Sequence, residues 1–298
     1  MNRLAAVALL VAGMAAGCGS SGTSTSSSPN GSIDALLRRP GPDLSVTPGA
    51  GPFAVGPVRF PFLVIADNGK PVERPSAHVW VAAGRKARPF AAVTAPLEPI
   101  GIPGKSGPAA GGVTKIYVAQ FPIFHPGRYW LVAEPVGARL QAVAVFNVNA
   151  ALPVPAVGER PPASNTPTLG SAPITALTTA RPPDRALLRY SVARSLSQHK
   201  PFVVTFATPK FCTSRVCGPV VDVVDAARQR FAGIRFIHVE VFQNNDPAKG
   251  YNRWMRQWHL TSEPWTFLVG RDGLIKAEFQ GSVSLDELSA AIRRYLVS

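Results

Sequence analysis

Residues 200–218 read KPFVVTFATPKFCTSRVCG and contain Cys212 and Cys217. The run FVVTF near the start is β-branched and aromatic without polar alternation, which is typical of a central strand covered on both faces. After Cys217, apolar residues recur at helical spacing from Val220 to Phe231. The stretch therefore predicts a buried strand, then a loop that carries the cysteines, then a helix.

This order places Cys212 ahead of a helix N-terminus, where unpaired N–H groups and the positive end of the helix dipole favour thiolate over thiol. We therefore predict that Cys212 is the nucleophile. Cys217 falls on the same face as the valines of the following helix, so we predict that it is the more buried, resolving thiol. Spacing alone leaves open an alternative, in which the pair is a buried cysteine with a chance neighbour or a fixed structural disulfide.

A second stretch, residues 263–281, reads EPWTFLVGRDGLIKAEFQG, which predicts a short apolar strand, a turn and a second strand. Together with FATPKFC it resembles the thioredoxin superfamily, specifically the TlpA-like class of membrane-anchored extracytoplasmic thioredoxins. The resemblance covers residues 184–298 and implies an α/β thioredoxin-like domain with an active-site disulfide Cys212–Cys217. It also implies that Pro264 is the cis-proline that packs against this disulfide, and that Glu263 lies near it as a candidate proton relay.

The spacing of the cysteines departs from the family pattern, because four residues separate them here and two separate them in the family. Residues five apart on a regular helix have Cα atoms about 8.7 Å apart, whereas a disulfide needs about 4.4–6.8 Å. A helix that included both cysteines would have to unwind its first turn on oxidation. Pro219 favours a helix that starts near Gly218, since proline is tolerated in a first turn, and such a start leaves the cysteine loop free to close.

The N-terminal segment carries export signals. Residues 1–17 have a short basic start, an apolar run and a small-residue end, which is typical of a signal peptide. The sequence Ala-Ala-Gly-Cys ending at Cys18 resembles the lipobox of bacterial lipoproteins, although Ala15 stands where Leu or Val is usual. An ordinary signal peptide with an incidental cysteine is the alternative. Residues 18–50 are predicted to be a lipidated, disordered tether.

The length of 298 residues, 46% of them hydrophobic, is sufficient for two modest domains. Residues 51–150 contain about six or seven β-rich runs separated by Pro and Gly, which predict an all-β immunoglobulin-like sandwich. Residues 151–183 are Pro-rich and predict an extended linker. Asp184 is then the predicted N-cap of a helix that reaches about residue 197. The predicted fold class is multi-domain, with this sandwich followed by an α/β thioredoxin-like domain at residues 184–298.

The formal net charge of +14 is spread evenly, because each of the two predicted domains carries +6. The sequence has no dense Lys/Arg block, which argues against a nucleic-acid site. Attraction to an anionic membrane surface or to acidic partners is the milder inference. His238 and His259 each stand alone, so no metal site is predicted, and no cofactor is predicted either.

These features predict a thiol-disulfide oxidoreductase, lipid-anchored at the extracytoplasmic face of the cell membrane, where disulfides persist. Its predicted partners are exported proteins with thiols or disulfides and a membrane redox partner. The alternative is a non-catalytic accessory lipoprotein with a structural disulfide in a thioredoxin-like scaffold. Four residues between the cysteines are the main support for that alternative, and the direction of exchange stays open.

Overall fold

A computed structural model describes residues 31–39, 41, 43–109, 112–138 and 141–297. Cys18, the predicted signal peptide and the first part of the predicted tether lie outside these residues. The described strands form one sheet of eight strands and one sheet of four. None of the helices in this part of the chain is both long enough and apolar enough to span a membrane.

The first sheet occupies residues 43–149. A short helix, α1 (Ile33–Leu37), precedes the sheet. The sheet consists of strands of two to ten residues: β1 (Asp43–Pro48), β2 (Phe53–Ala54), β3 (Gly56–Ile65), β4 (Ser76–Ala82), β5 (Ala91–Pro99), β6 (Lys115–Ile123), β7 (Gly127–Pro135) and β8 (Gln141–Asn149).

This sheet closes on itself. β1 pairs antiparallel with β3 and parallel with β8, so seven strands form a closed barrel in the order β1-β3-β6-β5-β4-β7-β8. Alternate side chains of the strands fill the interior, where Phe60, Phe62 and Tyr117 are fully buried. The ring centroids of Phe60 and Phe146 lie 4.8 Å apart.

The prediction of an immunoglobulin-like sandwich is wrong, because the structure shows a closed barrel. Both architectures require the same alternation of inward and outward side chains, so the pattern of residues 51–150 does not distinguish them. Closure depends on β1, which lies at residues 43–48 within the segment predicted to be a tether. Its partners β3 and β8 lie far along the chain, and no local signal records such a pairing.

The second part of the chain contains a smaller sheet and mostly short helices: α2 (Ile174–Leu177), α3 (Val192–Ser197), β9 (Phe202–Phe206), α4 (Cys217–Arg230), β10 (Arg235–Val239), α5 (Arg253–Gln257), β11 (Trp265–Val269), β12 (Ile275–Gln280) and α6 (Leu285–Tyr295). Single 3₁₀ turns occur at Arg185–Leu188, Gln243–Asn245 and Pro247–Lys249.

The second sheet has the strand order β10-β9-β11-β12, with β9 parallel to β10 and antiparallel to β11. All five residues of β9 are buried, which confirms the predicted central strand. One face of the sheet packs against α4 and α6. The other packs against an apolar cluster that contains Trp258 and Met255 of the α5 region.

The predicted fold class therefore has to be corrected for the chain as a whole. The described residues are mostly β, with a closed seven-stranded barrel and a few helices in place of the sandwich and the clear α/β thioredoxin-like arrangement that the sequence predicted. The predicted helix from Asp184 to about residue 197 illustrates the difference. Asp184 caps only a 3₁₀ turn, and Ser191 starts α3 anew because its side chain accepts from the N–H of Arg194.

The Pro-rich segment 151–183 packs onto the second sheet. Ser164, Thr166 and Leu177 are buried, and the indole N–H of Trp258 donates to Ser164 Oγ over 3.0 Å. Proline content indicates an extended backbone, but it does not show whether that backbone lies on a neighbouring surface. The segment is not extended throughout, since it contains α2 (Ile174–Leu177), and its contacts with the second sheet were not predicted.

Candidate functional site

The cysteine loop, defined as residues 207–216, joins β9 to α4. Its fold depends on backbone hydrogen bonds, since the N–H of Cys212 donates to Thr208 O over 3.1 Å and the N–H of Arg215 donates to Cys212 O over 3.1 Å. Arg215 has a positive φ of 58°, which reverses the chain just before the helix. Both cysteines are free thiols in this structure.

The start of α4 decides how the two thiols relate. The helix begins at Cys217, so Pro219 lies in its first turn and Cys212 lies outside it. This agrees with the predicted start near Gly218 and excludes a helix that contains both cysteines. Because Cys212 lies in the loop, the Cα atoms of the two cysteines can approach to the distance of a disulfide without unwinding of α4.

The burial of the two thiols is asymmetric in the predicted sense. Cys212 is 7% exposed and Cys217 is fully buried among the valines of α4. Cys212 is thus the thiol that a large partner can reach.

The surroundings of Cys212 favour its thiolate. The pKa of Cys212 is lowered to about 6, chiefly by a hydrogen bond from the Cys217 thiol. The Ser214 hydroxyl and the backbone N–H groups of Cys217 and Val216 act in the same direction, and burial opposes them. The Cys212 sulfur lies 3.3 Å from Ser214 Oγ. The N–H donors belong to the first turn of α4 and the residue before it, which is the effect that the sequence predicted for a thiol at a helix N-terminus.

Cys217 shows the opposite shift. Burial raises its pKa far above the usual range, and the hydrogen bond and charge of Cys212 raise it further. One thiol therefore ionises easily while its neighbour keeps its proton and donates it in a hydrogen bond.

Glu263 and Pro264 come directly before β11. The Glu263–Pro264 peptide bond is cis, and Pro264 O accepts from the N–H of Gly281 over 2.9 Å, which fixes the residue at the entry to β11. Burial raises the pKa of Glu263, and the charge of the nearby Cys212 thiolate raises it further. The charge of Glu263 thus interacts with that of Cys212, and its role as a proton relay stays a prediction.

Tyr251 is a site residue that the sequence did not identify. Its hydroxyl lies 3.2 Å from Glu263 Oε2 and donates to Thr261 O over 3.1 Å. Burial and the charge of Glu263 raise the pKa of Tyr251 to about 12, so it stays a hydrogen-bond donor. It lies in an irregular segment twelve positions before Glu263, and no sequence pattern connects the two.

The nearby tryptophans and His238 are mostly part of the packed core. Trp258 and Trp265 belong to the core, whereas Trp254 is half-buried. His238 is buried, and its Nε2 lies 2.9 Å from Ala207 O. Within the described ranges, no three His, Cys, Asp or Glu side chains converge in a way that could hold a metal ion.

Comparisons with known proteins give one finding of note. No protein-family model matches the chain, and no curated protein matches it. Among solved structures, the chain is similar to a thiol:disulfide interchange protein of the thioredoxin family from Chlorobium tepidum TLS, with 16% sequence identity over 49% of this chain and 97% of that one. The TM-score is 0.30. That protein is described as a member of the thioredoxin family, and the comparison does not test the resemblance to the TlpA-like class.

Proposed function

We propose that this chain is a thiol-disulfide oxidoreductase in which Cys212 attacks and Cys217 resolves. The observation that carries the proposal is the opposite ionisation of two adjacent free thiols, one with its pKa lowered to about 6 and the other buried and protonated. A fixed structural disulfide requires neither a stabilised thiolate nor a difference between its two sulfurs. Thiol-disulfide exchange requires both.

The first step forms a mixed disulfide. The Cys212 thiolate attacks one sulfur of a partner disulfide, a bond forms between that sulfur and Cys212 Sγ, and the other partner sulfur leaves as a thiolate. In the second step Cys217 loses its proton, and its thiolate attacks Cys212 Sγ, which breaks the mixed disulfide and releases the partner sulfur as a thiolate. The products are the Cys212–Cys217 disulfide and a partner dithiol, so the partner gains two electrons and this chain loses two. The same steps run in reverse when the partner is oxidised.

Cys217 needs a proton acceptor in the second step, because burial keeps it protonated. The Glu263 carboxylate is the candidate, since its charge acts on Cys217 and burial raises its own pKa. Tyr251 binds this carboxylate and holds its orientation. In the mixed disulfide Cys212 Sγ is uncharged, so it no longer opposes ionisation of Glu263 or Cys217.

The proposal includes the cellular setting inferred from the sequence. A lipid on Cys18 anchors the protein at the extracytoplasmic face of the membrane, where exported proteins supply disulfides or thiols and a membrane protein resets the cysteine pair. Support for this comes from the signal-like residues 1–17 and the lipobox-like sequence that ends at Cys18.

Trapping of the mixed disulfide tests the reaction. In Cys217→Ala protein the second step cannot occur, so we expect a covalent adduct between Cys212 and oxidised insulin, visible on a non-reducing gel and released by a reductant. The native chain is expected to turn over insulin in the presence of a dithiol donor.

The matched control is Cys212→Ala, which keeps the buried thiol and removes the accessible one, and no adduct is expected from it. Absence of both the adduct and insulin turnover would reject the proposal. A measured reduction potential well below about −300 mV, typical of structural disulfides, would favour the accessory-protein alternative.

A further inference from the structure

The barrel reaches the cysteine site through the loop between β5 and β6, here called the barrel loop and defined as residues 100–109. Ser106 Oγ donates to Asp222 Oδ2 of α4 over 2.7 Å and accepts from the N–H of Ile102 over 2.9 Å. Lys105 Nζ lies 3.5 Å from Asp222 Oδ1 and 3.8 Å from Asp225 Oδ2. The barrel loop is thus hydrogen-bonded and ion-paired to the helix that starts at Cys217.

Apolar contacts bring the same loop to the first turn of α4. Ile102 packs against the cluster that contains both cysteines. Val216, the N-cap of α4, packs against Ile100 and its barrel neighbours. A Cβ added to Gly101 would lie 2.7 Å from Pro219 Cβ, so only a residue without a side chain lets the loop backbone approach so closely.

The contacts of the barrel loop therefore fall on the N-terminal half of α4 and the residue before it, from Val216 to Asp225. The N–H groups of Val216 and Cys217 are also among the groups that lower the pKa of Cys212. These N–H groups stabilise the thiolate only when they are held in place. If the helix start frays, water of higher dielectric constant replaces them and the stabilisation is weaker.

We propose that the barrel loop is a positioning element for the cysteine site, in which Ile102 and Ser106 hold the first turn of α4 with its N–H groups directed at Cys212. This gives the barrel a function in the exchange chemistry besides that of an attached domain. The inference deepens the proposed function and rests on it for its consequence, the reactivity of Cys212.

Other groups also act on Cys212, namely the Cys217 thiol, the Ser214 hydroxyl and the Glu263 carboxyl with its partner Tyr251. All of them belong to the cysteine loop, α4 or the segment that leads to Pro264. Substitutions in the barrel loop leave every one of them chemically unchanged, so a change at Cys212 reports on positioning alone.

The test is a titration of the Cys212 thiolate by its ultraviolet absorbance in the full chain with Ile102→Ala and Ser106→Ala combined. Loosening the helix start is expected to raise the Cys212 pKa by about 0.5–1 unit, the size of a helix-terminus interaction. The rate of alkylation below that pKa should fall by about three- to tenfold in parallel. The single variant Ile102→Val, which keeps a branched side chain at the contact and leaves Ser106 in place, should have the same Cys212 pKa as the native chain.

Arg59→Gln is the matched control. Arg59 attaches the barrel to α6 through hydrogen bonds to Glu287 and Ser282, and these bonds involve neither α4 nor the cysteine loop. It should leave the Cys212 pKa unchanged. A folded loop variant with the native pKa, or an equal shift in Arg59→Gln, would overturn the inference. If the double variant does not fold, Ser106→Ala alone is titrated, with a rise expected and an unchanged pKa overturning the inference. The titration needs no exchange partner, so a shifted pKa without insulin turnover rejects the proposed function only.

Discussion

At the scale of single residues, burial and hydrogen bonding together explain the two opposite pKa shifts of the thiols. The S–H of Cys217 donates to Cys212 Sγ, which stabilises the Cys212 thiolate and makes loss of the Cys217 proton costly. Burial acts on both thiols, but the amides of Val216 and Cys217 offset it only at Cys212. The difference between the two thiols thus comes from their different burial and hydrogen-bond partners, to which the position of Cys212 just before α4 contributes.

The pH dependence of alkylation follows from these shifts. The pKa of Cys212 is lowered from its ordinary 9.0 to about 6, so its thiolate fraction should rise with pH through about 6 and level off near neutrality. Iodoacetamide labelling of the reduced native chain should follow that curve, quantified by mass spectrometry at each pH. Cys217 should stay unlabelled throughout, because its pKa is raised and its sulfur is buried.

Two variants make this measurement specific. Cys212→Ala should abolish the labelling near neutral pH, and Ser214→Ala should move the midpoint upwards because one donor to the thiolate is lost. A midpoint near 9 in the native chain, or equal labelling of both cysteines, would contradict the asymmetry.

At the scale of elements, the sequence predicted the segment β9, cysteine loop and α4 well because its signals are local. A β-branched run, a proline two residues after Cys217 and valines at helical spacing each act within one turn or one strand. Tyr251 could not be predicted in the same way. It reaches Glu263 from an irregular segment, and such segments carry no periodicity.

The structure makes a prediction about what oxidation does to α4. Its first helical hydrogen bond runs from the N–H of Val220 to Val216 O over 2.9 Å, and Cys217 is the first helical residue. The disulfide can therefore form by movement of the cysteine loop alone. Amide hydrogen exchange should change between reduced and oxidised protein within residues 208–216 and stay the same from Val220 onwards.

The comparison requires both redox states of the native chain and the Cys217→Ala variant, which cannot form the disulfide and controls for the oxidant. Loss of protection at Val220 and Val221 on oxidation would show that the first turn of α4 unwinds. In that case the helix start would be coupled to the redox state, contrary to the geometry described here.

At the scale of the whole molecule, the sequence predicted less. Composition located a β-rich part and a second part with the cysteines, but closure of the barrel needs the pairing of β1 with β8 across about a hundred residues. The contact between the two parts was not predicted at all. In the sequence, Arg59 and Glu287 look like ordinary surface residues, because 228 positions separate them and only the fold brings them together.

The second attachment of the barrel lies at α6. Arg59 makes a bidentate pair with Glu287, with Nε to Oε1 at 2.9 Å and Nη2 to Oε2 at 2.8 Å. Its Nη2 also donates to Ser282 O over 2.8 Å. Both side chains are only 14% exposed, so solvent screens the pair less than an ordinary surface ion pair. Glu287 additionally completes the capping box with Ser284.

A double-mutant cycle with Arg59→Gln and Glu287→Gln measures this attachment, with the free energy of unfolding of the full chain as the readout. Glutamine keeps the capping function at position 287, so the cycle separates the ion pair from the cap. We expect a coupling energy of about 1–3 kcal/mol, as for contacting, poorly solvated pairs. Coupling near zero would mean that this pair does not hold the barrel to α6. The barrel would then be held through the barrel loop and through the two hydrogen bonds between Gly51 and Gln280.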